Sequence, residues 1–245
     1  MKNTLVLYVR MFFTMAVGFY MSRVILVSLG VEDYGIYNVV GGVTAMFSFL
    51  NSSLSGATSR FLTYELGEGN MQRMKATFSV AYTIHVLLAI LIFFICETVG
   101  LWLLEYKLVI PEARMNAARV LYQLSVITVV VSIIQVPFNA LIIAHERMNA
   151  FAYLSIIDML LKLGVALSLD FIPFDKLITY GLLFFLVGNT MRLMYRWYAR
   201  KHFEECIIVI SKDKNLILPM LKFSGWDLYG NLSTMARTQG VNILQ

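Results

Sequence analysis

The feature that leaves this chain the fewest options is a run of apolar residues, about twenty long, that recurs along its length. As a helix, such a run crosses the hydrocarbon of a bilayer, about 30 Å, with every backbone N–H and C=O satisfied inside the segment. The composition points the same way: 59% of residues are hydrophobic and 14% charged, where a soluble domain carries about a quarter charged. The period-two alternation of a membrane barrel is absent. The expected fold class is therefore all-α, a polytopic helical membrane protein. The first apolar segment contains Arg10 and Arg23 and ends in Leu-Gly-Val-Glu-Asp rather than a small-residue cleavage site. It reads as a spanning helix that is kept, not a signal peptide.

Apolar periodicity and breaker residues place helices at residues 4–29, 34–66, 76–104, 116–144, 150–169 and 176–197. Gly30-Val31-Glu32-Asp33 reads as a short acidic turn, and His145-Glu146-Arg147 as a tight polar one. Pro137 falls inside the fourth helix and is expected to bend it, because it removes one backbone hydrogen bond. Residues 1–200 form a six-helix lobe. Residues 201–222 form a hydrophilic linker with room for an amphipathic surface stretch. Residues 223–245 open a seventh helix. The last residues, Val241 to Gln245, hold no stop signal, so the chain is expected to be a fragment, or a half, of something longer. The turns leave no room for a catalytic domain outside the membrane, and no nucleotide loop, nucleophile elbow or Cys/His cluster is present. The expectation is no enzyme, no cofactor and no metal. Cys96 and Cys206 read as ordinary apolar residues.

The net charge of +5 is explained by topology rather than by nucleic acid. One set of helix ends holds Lys2, Arg73, Lys75, Arg147, Arg200, Lys201, Lys212, Lys214 and Lys222. The other holds Lys107, Arg114 and Lys176, with Arg119 nearby, beside Glu32, Asp33, Glu105, Glu112, Asp170 and Asp175. The richer set is expected in the cytoplasm, which puts the N-terminus inside. Its basic segment after the sixth helix also suits anionic lipid headgroups.

Charges inside membrane helices face a cavity or a partner. Arg192 and Arg196 sit near a helix end and can snorkel. For Arg10, snorkelling and function stand level. Asp158 and Lys162, four apart, can neutralise each other as a structural pair. Glu97 is a further intramembrane charge. Arg23, Arg60 and Arg237 lie on polar helices without a carboxylate in their cores. Either they form an anion site, since guanidinium grips phosphate with a planar, permanently charged fork, or they snorkel separately. A second candidate is the stripe Gly41, Thr44, Ser48, Ser52, Ser55, Ser59 and Thr63 on the second helix. At about 100° per residue it occupies one narrow face. Small residues at this spacing either pack helices together or, being mostly hydroxyl-bearing, line a polar cavity. His85 is a hydrogen-bonded core residue or a proton-coupling group.

Ser22-Arg23, Leu29-Gly30-Val31-Glu32-Asp33-Tyr34-Gly35-Ile36-Tyr37, Gly56 and Arg60 resemble the opening hairpin of bacterial polysaccharide flippases. Pro137-Phe138-Asn139-Ala140, His145 to Met148 and Phe223-Ser224-Gly225-Trp226 resemble those of O-antigen and capsule clusters. The resemblance implies the MATE-like fold of the multidrug/oligosaccharidyl-lipid/polysaccharide exporter superfamily, two six-helix lobes around a central cavity, of which this chain is the N-terminal lobe. It further implies translocation of undecaprenyl-diphosphate-linked oligosaccharide across the bacterial inner membrane for lipopolysaccharide or other polysaccharide biosynthesis, alongside other polysaccharide-assembly proteins. Arg23, Arg60 and Arg237 would then neutralise the diphosphate, and Ser48, Ser52, Ser55 and Ser59 would bind sugar. With the second lobe missing, the chain is expected not to transport alone. Three other readings compete. A cation-coupled drug antiporter of the same fold would want a carboxylate mid-way along residues 4–29, which have none. A polysaccharide polymerase or ligase would want a large outward loop. A non-transporting scaffold would not need arginines inside helices.

Overall fold

A computed structural model describes the backbone of residues 2–45, 48–210 and 213–244, and the side chains of residues 7–42, 54–210, 213–227 and 229–230. Among the described residues the chain is helical, with no strand. The helices are α1 (Lys2–Ala45), α2 (Ser48–Glu68), α3 (Met71–Ile95), α4 (Leu101–Tyr106), α5 (Met115–Ala144), α6 (Met148–Ser168), α7 (Lys176–His202) and α8 (Lys214–Leu244). A π-helical turn, Cys96–Gly100, joins α3 to α4. Five stretches among the described residues are long and apolar enough to cross a membrane: Leu7–Gly42, Met71–Tyr106, Glu112–Ala144, Met148–Phe171 and Lys176–His202.

Several expected boundaries move, each for a local reason. The acidic turn at residues 30–33 shrinks to Gly30 alone, with φ 79° and ψ 169°. Side chains forbid that conformation, so glycine is required. Val31, Glu32 and Asp33 are already helical, and α1 runs on to Ala45 with a kink at Gly30. Helical backbone covers residues 31–45 and 48–68 around the second expected helix, and residues 46–47 lie outside the described residues. The third begins at Met71, five residues early, because Asn70 caps it by accepting from Arg73 N at 3.0 Å. The sixth continues past Trp197 to His202, where Arg200, Lys201 and His202 stand in its last turn and complement the helix dipole. The seventh begins at Lys214 rather than Phe223: the Asp213 carboxylate accepts from Asn215 N at 3.0 Å. Pro137 sits inside α5 without ending it.

The core is built on α5, which packs against α1, α2, α3, α6 and α7. Half of its apolar window is buried in protein, against 17% to 28% for the other four spans. Small residues on α5, such as Ala117, Ala118 and Ala140, are buried and let neighbours approach, and Tyr122 and Phe138 fill the remaining volume. Phe78 of α3 meets Phe138 edge-on at 5.7 Å between ring centroids.

Each end of the bundle is tied by ions. Where α5 starts, Arg114 makes a two-pronged bond to Asp33, at 2.8 and 2.6 Å, and reaches Asp175 at 2.6 Å. Asp175 also caps α7, accepting from Leu177 N and Ile178 N at 3.1 Å each. The Arg114 guanidinium holds the Asp175 carboxyl below the usual carboxylate range. Nearby, Asp170 accepts from Ser28 and Lys176 at 3.1 Å each, and Arg119 pairs with Glu105. These are charges that the sequence assigns to a single set of ends, and the fold brings them together. Where α5 stops, His145 pairs with the buried Glu205 and stacks on Phe203 at 4.3 Å. Arg73 lies 3.6 Å from the buried Glu65. Burial pushes the nearby Cys206 thiol up to about 11, which leaves it an unreactive apolar group.

Candidate functional site

Four helices turn polar faces toward one another and leave a cavity of about 550 Å³ between them. From α5 come Thr128, Ser132, Gln135 and Asn139, spaced four, three and four residues apart and therefore on one face. From α6 come Ser155, Asp158 and Lys162, again on one face. Ser55 of α2 and Gly188 and Tyr195 of α7 complete the polar wall. The hydroxyl protons are spent locally. Thr128 donates to Leu124 O at 2.7 Å, Ser132 to Val129 O at 2.7 Å and Ser155 to Phe151 O at 2.8 Å. Bonding back to their own helix stops these side chains from breaking it. Gln135 donates to Asn139 at 3.4 Å.

Among the described residues its lining charges are Lys162 and Asp158, and Arg10 stands beside them. Lys162 Nζ donates to Asp158 Oδ2 at 2.7 Å and lies 5.2 Å from the centre of the Phe184 ring. The four-residue spacing predicts that pair; the sequence does not show that it lines a cavity. Arg10 of α1 reaches across, with Nη1 donating to Ser155 at 3.3 Å and the guanidinium 4.9 Å over the Phe151 ring. Its Nε is buried and has no hydrogen-bond partner among the described residues. Arg10 is thus packed against α6 and only partly exposed, not stretched toward the helix end. Lys162 neutralises Asp158, which leaves the Arg10 charge in excess, in a setting of low dielectric where a charge acts strongly. The arrangement can hold an anion beside neutral hydroxyl and amide groups.

The residues singled out from sequence fall in several places. Ser55 lines this cavity, and Ser59 is partly buried one turn further along α2. Arg23 is exposed on α1. Arg60 is exposed on α2, with its guanidinium 4.8 Å over the ring of Phe223 from α8. Ser48 and Ser52 of α2 and Arg237 of α8 stand on helical backbone, but their side chains lie outside the described residues. The described cavity therefore brings together Ser55, Asp158 and Lys162, with Arg10 bonded to its lining residue Ser155, and not Arg23 or Arg60. The row Thr128, Ser132, Gln135, Asn139 was missed from sequence. It carries the same signal as the stripe on the second helix, a polar residue every third or fourth position, diluted by the oily residues around it. His85 is buried on α3, its Nδ1 2.7 Å from Ala81 O.

A family model described as MatE matches residues 8–167. Among solved structures, the outward-facing conformation of a multidrug resistance MATE family transporter of the MOP superfamily superposes with a TM-score of 0.77 at 13% identity, over 97% of this chain and 54% of that one. A MOP superfamily transporter from Pyrococcus furiosus Vc1 (DSM3638), described as having a binding pocket of reverse polarity that suggests a different function, superposes with a TM-score of 0.76 at 12% identity, over the same shares. At these identities the likeness is one of fold, and this chain spans about half the length of either protein. No curated protein sequence matches it.

Proposed function

The chain belongs to the MatE family, and from that premise we propose that it forms one lobe, the N-terminal one, of a flippase for undecaprenyl-diphosphate-linked oligosaccharide. The observation that carries this reading is the excess positive charge beside the cavity. Asp158 and Lys162 line it and neutralise each other at 2.7 Å, while Arg10 stands next to it and donates to the lining residue Ser155. A diphosphate is drawn to the uncompensated guanidinium. The neutral hydroxyl and amide side chains of Thr128, Ser132, Gln135, Asn139 and Ser155 give a sugar a polar wall. Arg23, Arg60, Arg237, Ser48, Ser52 and Ser59 are the further substrate-binding residues that the sequence resemblance implies. The sequence resemblance to polysaccharide flippases supports the same substrate, and the description of the Pyrococcus protein is of a relative in fold whose pocket polarity is reversed. The natural setting of this activity is the bacterial inner membrane.

A second reading, export of cationic drugs, is favoured by one observation, the presence of Asp158 in the cavity. It requires Lys162 to leave that carboxylate. The deciding experiment expresses the protein from its natural genomic locus and measures surface polysaccharide and ethidium efflux in the same cells. Arg10→Gln and Lys162→Gln should deplete surface polysaccharide, with undecaprenyl-linked intermediates accumulating inside and efflux unchanged. Normal polysaccharide together with lost ethidium efflux in these variants overturns the flippase reading in favour of the antiporter.

A further inference from the structure

Arg192, Arg196 and Arg200 belong neither to the cavity nor to the ion pairs at the two ends. They stand four residues apart on α7, so they climb one flank of it in steps of about 6 Å. That flank lies past Gly188, which faces Thr128 of α5, and before Leu193 and Trp197, which are exposed. Arg192 and Arg196 are partly buried and Arg200 is exposed. Among the described residues none of the three has a hydrogen bond, ion pair or ring partner, and the Arg192 Nε is buried. The cause lies in the sequence: neither α7 nor α5, packed against it, holds an aspartate or glutamate. Asp158 of α6 is taken by Lys162, and Glu205, just beyond α7, by His145. Glu204 is exposed and pairs with no cation among the described residues. Three guanidiniums this close repel one another, and they lie in a stretch long and apolar enough to cross a membrane. Such a ladder is costly unless an anion from outside the chain completes it.

Trp197 marks the level of the ladder. It is exposed beside Arg196, an aromatic of the kind that sits at headgroup depth, and Lys201 lies 4.9 Å over its ring. The segment that follows α7 borders the site. Phe203 and Glu205 pin it to His145, and Ser79 of α3 donates to Ile207 O at 3.3 Å. Burial raises the Cys206 thiol while the charges of Arg200 and Arg196 pull it down, so both guanidiniums lie close to this segment. Ile207, Val209 and Ile210 are exposed on it. Cations and bare apolar side chains thus share one place. A phospholipid answers both with its two parts, and a water-soluble anion answers only the first.

We propose that Arg192, Arg196 and Arg200 seat the phosphate of an anionic phospholipid, whose acyl chains lie against α7 and the exposed Ile207, Val209 and Ile210. The planar fork of each guanidinium donates to phosphate oxygens. The lipid bridges α7 and the segment after it, and so helps to hold that segment on the ends of α3 and α5. It is a resident partner and not the transported molecule. The site therefore goes beyond the flippase reading and stands whichever substrate the cavity takes.

Native mass spectrometry of the full chain in detergent tests it, with dioleoyl phosphatidylglycerol and dioleoyl phosphatidylcholine, which share acyl chains and differ in net charge. Wild type should retain phosphatidylglycerol and not phosphatidylcholine at equal concentration. Arg192→Gln, Arg196→Gln and Arg200→Gln should each weaken that retention by about fivefold. Arg147→Gln, Lys214→Gln and Lys222→Gln remove the same charge from exposed positions and should leave it unchanged. Equal losses in the two sets mean a diffuse attraction to the surface and overturn the proposal. Equal retention of the two lipids overturns it too, as does displacement of phosphatidylglycerol by millimolar glycerol phosphate, the mark of a soluble-anion site. Should the first set fail to fold, phenylglyoxal labelling of wild-type arginines in vesicles, located by mass spectrometry, decides. Arg196 and Arg200 should react severalfold more slowly in vesicles containing phosphatidylglycerol than in pure phosphatidylcholine, with Arg147 alike in both. Protection of all three, or of none, decides against the site.

Discussion

Arg114 and Arg10 are both arginines set between helices, yet they stand in opposite electrical situations. Arg114 is enclosed by two carboxylates, Asp33 and Asp175, and its charge is answered twice over. Arg10 donates to a neutral hydroxyl and leaves Nε unpartnered among the described residues, while the Asp158 carboxylate of the neighbouring cavity is taken by Lys162. The first cation is a fastener, because everything it attracts is already bound. The second keeps an unspent attraction. Burial does not separate the two; the number of carboxylates within reach does.

The largest effect that separates them is on transport. Arg10→Gln should lower the rate per folded molecule by about tenfold or more, the equivalent of about 1.4 kcal/mol of lost binding to the proposed anion, with little change in thermal midpoint. Arg114→Ala should do the reverse. It leaves Asp33 and Asp175 facing each other unpaired and should cost about 2 kcal/mol of stability, read as a lower midpoint in detergent, with transport per folded molecule unchanged. If Arg114→Ala lowers transport as much as Arg10→Gln does while the midpoint stays fixed, the contrast breaks. Asp175→Ala should cost about 1 kcal/mol, chiefly through the lost cap on α7, because Arg114 keeps Asp33. The smallest effect is that of acid. The Asp175 carboxyl is held below its ordinary range by Arg114, so its contribution is complete above the unfolded value of about 4. That contribution is lost as pH falls through the lower folded value. The wild-type midpoint should therefore drop in acid more than that of Asp175→Asn.

The spans were legible because apolar length is a local property. The grouping of charges by helix end was legible because alternate crossings sort the loops onto two sides. Asp158 and Lys162 were legible as a pair because four residues make one turn. The cavity was not, because it depends on which faces meet: Arg10 finds Ser155 across 145 positions of sequence, and no local pattern encodes that choice. The π-helical turn was hidden for a similar reason. Gly100 shows its purpose only beside Tyr122, which belongs to another helix. The turn at residues 30–33 was placed correctly but drawn too long, since Gly30 alone can make the break.

That economy at Gly30 has a consequence for how the gene tolerates change. A loop absorbs an inserted or deleted residue by changing its path. A break made by one residue between two helical stretches has no slack to offer. One extra codon at this point rotates the stretch from Val31 to Ala45 by about 100° relative to its neighbours. It would carry Asp33 away from Arg114. Substitutions in the helices on either side are graded in their effects; a shift of frame by a single residue here is all or nothing.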